Sequence, residues 1–260
     1  MILFLALSGC HGKLDPVPAD IEGLCAFLFE NQEEPEVLAE GLVSLQTWID
    51  TRGEAEEGYN LPALTDADVV DVEHPGRTLT DALGGVADAE SPHPLDAHVA
   101  FILLPDQSVV NPGDYGHFDR SFLLGGDCFA DRGCERVETW NDVLKTAAFG
   151  VEIPYEYGKD YQWVDYRSAE GDARTAVVSR GWVPEVAFDE GGENGILQSF
   201  TLDVFLGTRE GGVRRVQAQW SEMKLVIDEF VTDDFLRGEL IDGLQGVFAD
   251  TDEAITDLGL

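Results

Sequence analysis

The sequence predicts an α+β fold: N-terminal helices, an antiparallel meander of about five strands, and a C-terminal helix packed on the sheet. Three observations carry this. Apolar residues recur at helical spacing before residue 104, and the period changes to two from about residue 149. The later runs are separated by short Gly-bearing turns, which join neighbouring antiparallel strands. With 260 residues and 44% apolar content, the chain can bury one substantial core.

Taken in order, Ile21, Leu24, Cys25 and Leu28 share one helical face over 20–30, and Leu38, Leu42, Leu45 and Ile49 share another over 37–50. Pro35 opens the second helix and Gly53 lies beyond its end. Residues 51–93 carry weaker pattern, with Thr65, Thr78 or Thr80 as candidate caps and a break at Gly84-Gly85. A further helix fits 94–104, where Pro94 suits a first turn and Leu95, Val99, Ile102 and Leu103 line one face. Pro105, Pro112 and several glycines make 105–136 a long connection.

Strands are expected at 151–157, 161–166, 173–182, 196–206 and 213–227, with turns at Gly158-Lys159-Asp160, Glu170-Gly171-Asp172 and Glu210-Gly211-Gly212. In the fourth, Ile196, Phe200, Leu202, Val204 and Leu206 face a core, while Ser199, Thr201 and Asp203 face water. The fifth runs Val216, Ala218, Trp220 on its apolar face, then changes parity at Met223 and Leu225, which predicts a β-bulge near Ser221 or Glu222. Thr232 caps a final helix striped by Leu236, Leu240, Leu244 and Val247.

Acidic residues outnumber basic ones by 51 to 16, a formal net charge of −35. That sign opposes phosphate neutralisation, so nucleic acid is excluded as a general partner. Adhesion of the protein surface to anionic lipid is disfavoured for the same reason, and a membrane partner would require a covalent acyl chain.

The N-terminus offers one. Residues 1–9 form an apolar run of secretory h-region length, too short to span a bilayer, followed at once by Cys10. Leu7-Ser8-Gly9-Cys10 resembles the lipobox of bacterial lipoproteins. The resemblance implies removal of residues 1–9, lipidation of Cys10, a tether over 10–19 and a single α+β domain over 20–260 on the cell envelope. His rather than Asp at position 11 implies sorting to the outer membrane. The pattern departs from the family in lacking Lys or Arg before the apolar run, which a start codon further upstream would explain. A buried N-terminal strand is the competing reading, but it would not need Ser-Gly-Cys followed by a Pro-bearing linker.

Cys128 and Cys134, with five residues between them in a turn-rich stretch, fit a small disulfide loop in an oxidising compartment. Zinc is the alternative, and a pair with no second Cys pair matches structural zinc sites poorly. Cys25, on the apolar side of a helix, reads as a buried free thiol.

No nucleophile elbow, phosphate loop or zinc-protease helix occurs, which lowers the case for an enzyme. His93, His98 and His117, each near carboxylates, would hold a divalent metal if the long connection folded back; ordinary polar histidines are the plainer reading. Asp127 and Asp131 lack the spacing of a calcium loop. No cofactor is expected. Tyr155, Tyr157, Trp163, Trp182 and Trp220 gather aromatic side chains on the sheet, which suits either core packing or a hydrophobic ligand cavity beneath the last helix. The order of meander then helix is loosely similar to helix-grip, START-like folds, and implies such a cavity. Three functions follow: an envelope module binding a hydrophobic ligand or partner protein, a structural lipoprotein with no ligand, or a metal-dependent hydrolase built on the histidines.

Overall fold

The computed structural model describes residues 16–52, 58–108, 115–146, 151–226 and 232–260. Cys10 and the lipobox lie outside the described residues. Helix α1 (Ile21–Glu30) begins where Asp20 accepts the Gly23 N–H at 2.7 Å, and α2 (Pro35–Thr51) begins on Pro35. The strands are β1 (Tyr59–Leu61), β2 (Leu83–Ser91), β3 (Tyr115–Leu124), β4 (Arg136–Thr146), β5 (Glu152–Arg167), β6 (Ala173–Trp182), β7 (Ala187–Phe188), β8 (Gly195–Gly207) and β9 (Val213–Lys224). Helix α3 (Leu95–Ile102) follows β2. Helix α4 (Asp233–Leu258) is capped by Thr232 and ends on Gly259 at φ 67°, a left-handed position that glycine takes without a Cβ clash.

All strand pairs are antiparallel, in the order β1-β2-β9-β8-β6-β5-β4-β3, with β7 paired to β8. The five expected strands fall on four, β5, β6, β8 and β9, because the first two are one continuous strand, and these four are part of a nine-stranded sheet. Strand β2 escaped the sequence pattern because its small residues are buried on both faces, and β3, inside the expected connection, because almost all of it is exposed.

Two local expectations are corrected. Gly158-Lys159-Asp160 is no turn: β5 runs straight through it, paired on both sides. A Cβ at Gly158 would stand 2.5 Å from the Trp182 indole, so glycine is there for close approach. Lys159 and Asp160 project to opposite faces, and both are ion-paired. The bulge occurs beside Glu222, but the extra residue is Leu197 on β8, between the pairs Ile196↔Met223 and Gln198↔Glu222. It turns Ile196 to the side of Ile153 and Val183, away from the core expected for it, and leaves Met223 exposed.

The sheet lies between two helical layers. On one face, α1 and α2 pack on Phe200, Leu202, Val204, Val216, Ala218 and Trp220 in a filled apolar core. On the other, α3 packs on β8 while α4 lies along β2 and β9.

Candidate functional site

Helix α4 approaches the sheet over Gly85, Ala87 and Ala89 of β2. Leu240 and Ile241 would stand 3.2–3.3 Å from a Cβ at Gly85, and Leu244 and Phe248 pack on Ala87. Small residues at this edge bring the helix close. Toward the middle of the sheet, rows of larger side chains hold it off and leave a cavity of about 290 Å³ lined from β3 to β9 and by α3 and α4.

Two rows of side chains form its floor. One runs Tyr161, Ser179, Asp203, Gln217 across β5, β6, β8 and β9, Ser179 being fully buried rather than part of the lining, and the next runs Lys159, Gly181, Thr201, Gln219. Lys159 reaches across β6 to Asp203, Nζ to Oδ2 2.7 Å. Its chain passes over Gly181, where a Cβ would lie 3.6 Å from Lys159 Cδ and 2.6 Å from Thr201 Oγ1. Asp203 also accepts from Arg215 at 3.3 Å; the Arg215 guanidinium donates to Thr251 of α4 at 2.9 Å and lies over Phe205 and Phe248. Desolvation raises the Asp203 pKa, but the charges of Lys159 and Arg215 outweigh it and hold the carboxyl below its ordinary range. Desolvation lowers Lys159, and Asp203 with the neighbouring phenols reverses this, keeping the ammonium charged.

Of the aromatic residues expected at a cavity, Tyr155 and Tyr157 line it, stacked at 5.8 Å with pKa values raised by burial. Trp182 borders it, but its indole lies over Gly158 and packs against the α1–α2 core. Trp163 lines no part of it. That ring stacks on Phe129 and donates to the Phe129 carbonyl at 2.9 Å, beneath the Cys128–Cys134 disulfide loop (Cα–Cα 5.4 Å). Trp220 is on the other face, edge-on to Phe29, donating to the Pro62 carbonyl at 2.8 Å.

The three histidines are not brought together. His98 is buried and bonded to Ser91 Oγ at 2.9 Å; the Ser91 hydroxyl donates to Asp252 of α4 at 2.6 Å, so the ring donates from Nε2 and leaves Nδ1 bare. Burial, with Arg215 and His93 nearby, lowers its pKa to about 3. His93 Nε2 meets the Asp252 carbonyl at 3.1 Å, and His117 lies on β3 against Asp142 at 3.2 Å. The first two fasten α4 to the end of β2. Among the described residues no group of three His, Cys, Asp or Glu side chains is arranged for a metal. Asp131 stands in the disulfide loop and Asp127 immediately precedes it. Cys25 is a buried free thiol that burial shifts upward, away from reactive thiolate.

Half of this floor, Ser199, Thr201 and Asp203, is legible as a polar face of its strand; the other half is carried by an equal signal, since Arg215, Gln217 and Gln219 alternate as regularly with Val216, Ala218 and Trp220. Two roomier clefts beside α2 are more open and share the exposed Arg132–Asp165 pair, with no comparable convergence of buried polar groups.

No protein-family model matches the sequence, and no curated protein matches it. The chain is similar to several solved structures. A STAR-related lipid transfer protein fragment from Xanthomonas axonopodis has TM-score 0.44 and 11% identity, covering 79% of this chain and 97% of that one. TTHA0849 from Thermus thermophilus has TM-score 0.41 and 14% identity, covering 67% and 98%. Human StAR-related lipid transfer protein 5 has TM-score 0.39 and 8% identity, covering 88% and 100%.

Proposed function

We propose that the protein is a non-enzymatic binding module of the bacterial cell envelope, lipid-anchored through Cys10, whose ligand occupies the cavity between the sheet and α4. The cavity carries the ligand reading: aromatic side chains at one end and fixed hydrogen-bonding groups on the floor suit a small molecule with an apolar body and a polar group. Its volume of about 290 Å³ lies at the low end for ligand pockets, which favours a small amphipathic molecule over a two-chain lipid.

Titration with two naphthalene dyes, anionic anilinonaphthalene sulfonate and neutral phenylnaphthylamine, tests the ligand site. At least one should give a saturable fluorescence rise, one dye per chain, abolished by Thr201→Trp and by Ser199→Phe, which fill the floor. Binding unaffected in both folded variants, or no saturable binding of either dye, overturns the reading. The anchor is tested by intact mass of the membrane fraction, comparing the native chain with Cys10→Ser. A lipid-sized increment beginning at Cys10 and lost in the variant is expected; an unmodified chain retaining Met1 removes the envelope placement.

A further inference from the structure

The chain has 16 basic residues against 51 acidic ones, so a random sample of its charged groups is mostly carboxylate. The cavity reverses that ratio. Arg120, Lys145, Lys159 and Arg215 line it, and among the described residues Asp203 is its one acidic residue. Asp203 is shared between Lys159 and Arg215, and so compensates one charge of the two. Among the described residues Arg120 donates only to neutral groups, the Asn141 amide oxygen and the carbonyls of Ile102 and Leu104. Lys145 lies over the Tyr115 ring and has no carboxylate within ion-pair distance among the described residues. Positive charge held in a partly desolvated cavity is unfavourable unless an anion completes it.

Resting on the reading of this cavity as a ligand site, we infer that the ligand is an amphipathic anion: a carboxylate, sulfonate or phosphate group facing the excess cations, with an apolar or aromatic body against Phe118, Tyr155 and Tyr157. The arrangement also bears on selectivity. With a net charge of −35 the outer surface repels anions, so only a site with its own concentrated positive charge binds one.

The two dyes share a fused-ring body and differ chiefly in the sulfonate, which makes them the test on the full chain. The anionic dye should bind at least about tenfold more tightly than the neutral one. Lys145→Gln and Arg120→Gln should each weaken the anionic dye several-fold and the neutral dye by much less, and added salt should do the same. Lys145→Glu gives a stronger version at a side chain that makes no structural ion pair, should Arg120→Gln disturb folding. Equal binding of both dyes, insensitive to these substitutions and to salt, overturns the anion inference and leaves the cavity reading standing. No saturable binding of either dye overturns both.

Discussion

Along β8, successive side chains enter two different environments. Phe200, Leu202, Val204 and Leu206 are no more than 1% exposed, sealed under α1 and α2, whereas Ser199, Thr201 and Asp203 border open space under α4. The same backbone serves both, so the difference lies in side-chain chemistry alone. Apolar groups gain by closing every gap and therefore leave no room. Polar and charged groups are satisfied by particular partners at fixed distances, and a helix whose Thr251 rests on Arg215 is held off rather than drawn in. The α1–α2 face stabilises the molecule, and the α4 face keeps a cavity.

This contrast is open to measurement. Phe29 is fully buried, with rings of Phe200 and Trp220 6.0 Å away, so Phe29→Ala should cost about 3–5 kcal/mol in urea unfolding. Thr201→Ala, one residue from Phe200 but on the cavity face, should cost less than about 1 kcal/mol. Equal losses would erase the distinction. Asp203→Ala strands Lys159 and Arg215 together and should cost about 3 kcal/mol at neutral pH. Because the folded carboxyl lies below its unfolded value, this contribution is present above about pH 4 and is lost as pH falls through the folded pKa. Wild type and variant should then converge in acid unfolding curves.

Cys134→Ser opens a short loop and should lower stability by about 2 kcal/mol, with Trp163 fluorescence reporting the loosened Phe129 contact. A smaller, pH-dependent effect is that of His98. Its pKa is depressed to about 3, so the folded state refuses a proton that the unfolded chain binds, and stability falls as pH drops below the unfolded value. Relative to His98→Gln, wild type should lose about 1 kcal/mol between about pH 6.5 and 5.5. Parallel curves would mean that the imidazole is solvated rather than clamped between Ser91 and Phe205.

Where a residue's role is settled by its near neighbours in sequence, it was legible. Helices α1, α2 and α4 announce themselves by apolar period and caps, and the alternation in β8 identifies its two faces. Roles set by distant partners were not. Lys159 and Asp160 resemble turn residues because charged pairs next to glycine usually are; only Asp203 on one face and Arg180 on the other make them strand residues. Strand β2, with Gly84, Gly85, Ala87 and Ala89, carries no amphipathic signal because both of its faces are covered. The cavity's aromatic wall was half legible: Tyr155 and Tyr157 belong to it, while Trp220, of the same residue class in the same sheet, has the opposite parity and none of the room.

The strand order also dictates when the molecule can form. Strand β2 pairs with β9, Ser91 opposite Val213, and the first two helices find their apolar partners on β5, β6 and β8. The first helices and β2 therefore wait for strands made later. Contacts this remote in sequence place folding at the slow end of the single-domain range. A ribosome or translocon releasing this chain N-terminus first hands over an open polypeptide, and the native state arises only once the last strands have emerged.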